Sequence, residues 1–123
     1  KKVLSLAISQ AKSGKRIYDI SNMIEKTVRK SGYSPIKALV GHGVGRELHE
    51  EPQIPCYVNG KPEESPIIGE GWVIAIEVMY AQGSGEVKIE SDGWTISTND
   101  GKISALFEET VAVTEDGPII LTN

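Results

Sequence analysis

Trp72-Val73-Ile74-Ala75-Ile76-Glu77-Val78-Met79 is a nearly unbroken apolar run with one charge in it. It reads as a buried β-strand, and the strand candidates cluster around it. Upstream, Ala38-Leu39-Val40 is a short strand that runs into Gly41-His42-Gly43-Val44-Gly45. Downstream, residues 87–90 alternate as a strand should. Asp92-Gly93 and Asn99-Asp100-Gly101 are turn signals on either side of residues 94–98, which predicts two hairpins. Residues 103–114 form the longest strand candidate. Glu115-Asp116-Gly117-Pro118 is a turn, and residues 119–121 are a terminal strand. Residues 59–71 are rich in Pro, Gly and Glu and read as a surface loop.

Toward the N-terminus the period changes to that of a helix. Leu4, Ala7, Ile8 and Ala11 carry it over residues 3–12, and Ser13-Gly14 stops it. Asp19 is placed as the N-cap of a second helix, whose apolar stripe is Ile20, Met23, Ile24 and Val28. Arg29 and Lys30 suit the negative end of that helix dipole, and Gly32 closes it. Helices come first and strands follow, so the expected class is α+β, two helices packed on an antiparallel sheet, in one domain over residues 1–123.

Composition narrows the partners. A net charge of −4 argues against nucleic acid, because phosphate binding needs a basic surface. No apolar run approaches the roughly 20 residues of a membrane span. Nothing at Lys1-Lys2 reads as a signal peptide, and the lone cysteine, Cys56, suits a reducing cytoplasm. The chain opens without Met, inside a helical pattern already under way, so it reads as a piece of a longer protein.

Three polar features stand in awkward places. Both histidines, His42 and His49, fall within eight residues. Glycines beside His42 let the backbone bend and leave the imidazole room to reach a ligand; the alternatives are a polar filler in a turn, or a phosphate loop. No Lys-Ser or Lys-Thr follows to support the latter. Glu77 shares a strand face with Val73, Ala75 and Met79, where a carboxylate is costly unless paired or metal-bound; at a strand end it would face water. Of Glu108 and Glu109, alternation sends one to each face. Glu109 falls with the more apolar set, Phe107, Val111 and Val113, so the pattern leaves open which is functional, or whether both are solvated. Together the histidines and glutamates suit a divalent ion held by nitrogen and oxygen, and bridging carboxylates permit two ions.

The stretch from Gly41-His42-Gly43-Val44-Gly45 through Leu48-His49-Glu50-Glu51-Pro52-Gln53-Ile54-Pro55 closely resembles the signature of type I methionine aminopeptidases. So do Ala75-Ile76-Glu77-Val78-Met79, Asp92-Gly93-Trp94-Thr95, Ser104-Ala105-Leu106-Phe107-Glu108-Glu109-Thr110-Val111, and Val113-Thr114-Glu115-Asp116-Gly117-Pro118. The order and approximate spacing agree over essentially the whole chain. The resemblance implies the C-terminal half of a pita-bread fold, in which two pseudo-symmetric halves enclose two divalent metal ions (Co, Mn, Fe, Ni or Zn). It implies that His42, Glu77 and Glu108 are metal ligands, and that Glu77 also handles the catalytic proton. It gives His49 the substrate peptide group and the tetrahedral intermediate. Leu48 and Trp94 would wall the pocket of an N-terminal methionine on peptides or nascent proteins.

Three departures qualify the match. Val78 replaces a usual Pro, and Glu109 an often-found His. No segment resembles the family's N-terminal half, which carries two aspartate ligands. The chain is therefore expected to act when completed by that half. The alternatives are a non-catalytic fragment or split subunit, or self-association with a second copy. Proline-specific peptidases share the fold but typically have Gly where Met79 stands and lack the hairpin at residues 92–95.

Overall fold

The computed structural model describes residues 1–122. Among these, two helices, α1 (Lys2–Ile8) and α2 (Ile17–Lys30), precede the strands. Strands β1 (Ser34–Pro35), β2 (Val40–Gly43), β3 (Glu50–Pro55), β4 (Val73–Ala81), β7 (Ser104–Thr114) and β8 (Gly117–Ile120) make one antiparallel sheet. Its order is β3-β2-β4-β7-β8, with β1 also paired to β4. Strands β5 (Val87–Ile89) and β6 (Ile96–Thr98) form a separate two-stranded ribbon. The α+β expectation holds. Among the described residues no helix is long and apolar enough to cross a membrane.

The sheet is built on β4. Its alternation puts Ile74, Ile76 and Val78 on one side, where they join Leu4, Ala7, Ile8, Ile20, Ile24, Val28, Val111 and Val113 in one buried core. Ile20, Ile24, Ile74 and Ile76 are fully buried, and each such side chain contributes about 1.5–3 kcal/mol by leaving water. The helices therefore close one face of the sheet. On the other face lie Ala75, Glu77 and Met79. The β5–β6 ribbon reaches the Met79 end, where Val87 and Ile96 lie near Met79 and Leu106.

Several elements differ from the sequence reading. Helix α1 ends at Ile8, four residues early: the N–H groups of Gln10 and Ala11 reach the carbonyls of Ala7 and Ile8 in tighter turns. Ala11 nonetheless stays buried, which is why the helical period continued through it. Asp19 is not the N-cap of α2. Arg16 is, and Asp19 lies at the third helical position, accepting from the Arg16 N–H at 2.8 Å.

Residues 59–71 are more than a surface loop. Pro66 O accepts from Ile17 N–H, Ser65 Oγ accepts from Tyr18 N–H, and Ile68 is buried. This segment thus satisfies the free N–H groups that every helix start leaves over. The first short strand begins at Val40 and takes in His42. Strands β1 and β3 were not foreseen. Asp92-Gly93 does turn a hairpin, β5 into β6. Asn99-Asp100-Gly101 does not, because β7 pairs with β4 and β8 rather than with β6.

Candidate metal centre

His42, Glu77 and Glu108 come from three adjacent strands. In the β2–β4 ladder His42 stands opposite Ala75, and Glu77 is two residues on, so its side chain rises from the same face. In the β4–β7 ladder Glu77 stands opposite Glu108. The ladder type follows from the backbone. Met79 turns its N–H and C=O toward Cys56 and Ile36, away from β7. By alternation Glu77 does the same, so Glu77 and Glu108 form a pair without mutual backbone hydrogen bonds. In such pairs the Cα atoms are only about 4.5 Å apart and the side chains are closest.

The glycines beside His42 serve close approach rather than bending. Neither has a positive φ. A Cβ on Gly41 would lie 2.5 Å from Ala75 O, and one on Gly43 would lie 2.2 Å from Glu51 O. Only glycine lets β2 lie between its neighbours at this spacing, with a register shift against β3 between Gly41 and Gly43. This corrects the reason inferred from sequence, though not the position.

One ligand atom from each of His42, Glu77 and Glu108 lies within 4.8 Å of the others. His42 is buried. Its Nδ1 is 2.8 Å from Gly43 O, an acceptor, so Nδ1 carries the proton and donates. Nε2 faces Glu77 Oε1 at 3.5 Å. Burial pushes the Glu77 carboxyl above its ordinary range, the Glu108 charge pushes it further, and His42 partly opposes both. A partly buried carboxylate is thus crowded by a second one, with an imidazole nitrogen beside them. The donors fit a divalent ion of the Mn-to-Zn series.

Glu109 lies outside this group. It faces the other side of the sheet, opposite Ile76, and its Oε2 accepts from the Thr122 hydroxyl. Alternation had left the two glutamates undecided; the geometry brings Glu108 to the cluster.

The His49 ring meets His42 edge-on, with centroids 4.3 Å apart. The two histidines line an open depression of about 370 Å³ with Val40, Glu50, Glu51 and Gln53. Glu50 accepts from Glu47 N–H at 2.9 Å and so ties down the loop that carries His49. Leu48 and Trp94 are not brought to the cluster. They are 70% and 88% exposed, and neither lines that depression. Trp94 sits in the β5–β6 turn, where Asp92 Oδ1 accepts from its N–H.

Sequence reasoning noted Cys56 only as a free thiol. It is fully buried behind Glu77: Sγ lies 3.2 Å from Glu77 O and 3.4 Å from Met79 N. Burial pushes the thiol up to about 11, with the Glu77 charge adding to the rise, so it keeps its proton. No spacing rule marks such a residue.

An imidazole and two carboxylates on adjacent strands of an antiparallel sheet, backed by two helices, make a candidate divalent-metal centre. The chain belongs to metallopeptidase family M24, whose model matches residues 1–115. It is 44% identical over 122 residues to a methionine aminopeptidase of Aquifex aeolicus, covering 99% of this chain and 47% of that protein. The crystal structure of a methionine aminopeptidase from Thermotoga maritima superimposes with a TM-score of 0.93 at 46% identity, covering 99% of this chain and 48% of that one. A prolidase from Pyrococcus furiosus fits less well, with a TM-score of 0.70 at 25% identity and 30% of its chain covered. The chain thus spans about half the length of the methionine aminopeptidases it matches. The expected fold, the C-terminal half of a pita bread, is what these neighbours show.

Proposed function

We propose that this chain carries half of the active centre of a methionine aminopeptidase, which removes N-terminal methionine from peptides and nascent proteins. One observation carries the reading: His42, Glu77 and Glu108 converge on one sheet face, in a chain similar along 99% of its length to proteins of that name. The greater likeness to methionine aminopeptidases than to the prolidase supports the choice of substrate.

In this reading His42 Nε2 and the carboxylates of Glu77 and Glu108 would hold divalent metal (Co, Mn, Fe, Ni or Zn). When bound, such ions supply Lewis acidity, which activates water and polarises the scissile carbonyl. Glu77 accepts a proton and returns it to the departing amine. His49 donates an imidazole N–H where negative charge gathers on the substrate carbonyl oxygen. Leu48 and Trp94 wall the methionine pocket once another body covers their exposed faces. That body is the N-terminal half with its two aspartate ligands. The reaction takes place in the cytoplasm, a compartment that keeps a thiol such as Cys56 reduced.

Three donors make an incomplete site, so the isolated chain is expected to turn over little or no substrate. The test is cleavage of a Met-initiated tripeptide with added Mn²⁺ or Co²⁺. The chain alone should be silent, and adding the N-terminal half of the Aquifex relative should restore turnover. Robust turnover by the pure chain would refute the need for completion. A folded but inactive mixture would refute the assignment.

A further inference from the structure

Strand β4 has a break along one edge. Strand β2 pairs with it at Ile74 and Ala75, and β1 pairs with it at Tyr80 and Ala81. Beyond these, Ile36 N–H reaches Met79 O at 3.0 Å, and Val44 N–H reaches Val73 O at 2.9 Å. Between the two short partners lies the stretch that contains Glu77. Cys56 enters there, from the residue just after β3. It donates S–H to Glu77 O at 3.2 Å and accepts Met79 N–H at 3.4 Å. The thiol uses both its weak donor and its weak acceptor capacity. It is fully buried, so no water replaces those bonds if it is removed.

We propose that Cys56 is a positioning residue for Glu77: its side chain stands in for a missing piece of neighbouring strand. It fixes the peptide after Glu77, and thereby the direction in which the Glu77 carboxylate leaves β4 toward His42 and Glu108. The partners that orient a metal ligand characteristically influence affinity without touching the ion. This inference rests on the reading of Glu77 as a ligand, but its geometric half does not. Serine keeps one donor and one acceptor on a shorter arm. Alanine has neither and also lacks the volume of the sulfur.

The test compares the full chain with C56A and C56S, each first shown to be folded by its far-ultraviolet circular dichroism. Two metal-free readouts come from nuclear magnetic resonance. In C56A the Met79 amide should exchange at least about tenfold faster, with Ile74 unchanged, and the cross-peaks between the Glu77 side chain and the His42 ring should weaken. C56S should restore both. The third readout is Co²⁺ binding by visible absorption. Affinity should fall roughly 10–100-fold in C56A and recover in C56S, while H42A abolishes the spectrum. A folded C56A with unchanged Met79 exchange and unchanged Glu77–His42 cross-peaks overturns the positioning role. If those signals change as stated but the parent chain gives no Co²⁺ spectrum, the ligand reading fails and the positioning of Glu77 stands. If C56A fails to fold, C56S decides: slow Met79 exchange and parent-like cross-peaks support the role, and their loss in folded C56S refutes it.

Discussion

Glu77 and Glu108 face each other across the β4–β7 ladder, in a pair whose backbones turn away from one another. Two carboxylates held so close are mutually repulsive, and the fold accepts the repulsion. That arrangement makes sense at a site built for a cation rather than for stability.

The first prediction concerns pH. The Glu77 carboxyl is raised in the folded state by burial and then by Glu108. Between the ordinary carboxylate value, about 4.3, and the raised one, the folded state binds more protons than the unfolded. Stability of the metal-free chain therefore falls as pH rises through that window and levels off above it. Glu77→Gln should remove this loss. Its Tm should match that of the parent near pH 4 and exceed it at pH 7, in thermal melts with chelator present. A lower Tm than the parent at pH 7 would contradict the account. Glu108→Gln should lower the Glu77 pKa followed by ¹³C resonance of its carboxyl.

The second prediction concerns the glycines of β2. Gly41→Ala puts a methyl 2.5 Å from the Ala75 carbonyl, backbone that cannot turn aside as a side chain would. Urea melts should show a loss of about 1–3 kcal/mol. Metal affinity should fall as well, because His42 moves with the strand. Gly93→Ala is a control of another kind: nothing lies within 4 Å, but φ is +71°. Its cost should stay near 1 kcal/mol, with metal affinity intact.

A third prediction separates core from site. Ile24 is fully buried in α2, on the helix side of the sheet. Ile24→Ala should cost about 2–5 kcal/mol in urea unfolding. At temperatures where it stays folded, its metal affinity should remain within a few-fold of the parent. A large loss of affinity in the folded variant would mean that the two faces of the sheet are coupled.

How much of this was legible follows from what each residue announces. Strand β4 was readable because its apolar run is dense, and Glu77 was readable because it breaks that run. Strand β3 was not, since Glu50-Glu51-Pro52-Gln53 has the composition of a loop; β2 recruits it across the glycines. Helix α1 was read too long because Ala11 stays buried beyond the last helical turn. Alternation could place Glu108 and Glu109 on opposite faces but not say which face holds the helices. Cys56 was invisible as a partner of Glu77, because the bond joins residues 21 apart through a break in a sheet edge. The resemblance implies substrate contacts for Leu48 and Trp94, yet here both stand in the open.

The central claim is that His42, Glu77 and Glu108 bind one divalent ion between them. The most direct test is a crystal of the chain soaked in Mn²⁺, with anomalous diffraction collected near the manganese edge. The account predicts an anomalous peak roughly 2.0–2.3 Å from His42 Nε2 and from oxygens of Glu77 and Glu108, lost in the His42→Ala crystal. Manganese bound elsewhere while these three side chains remain empty would contradict it.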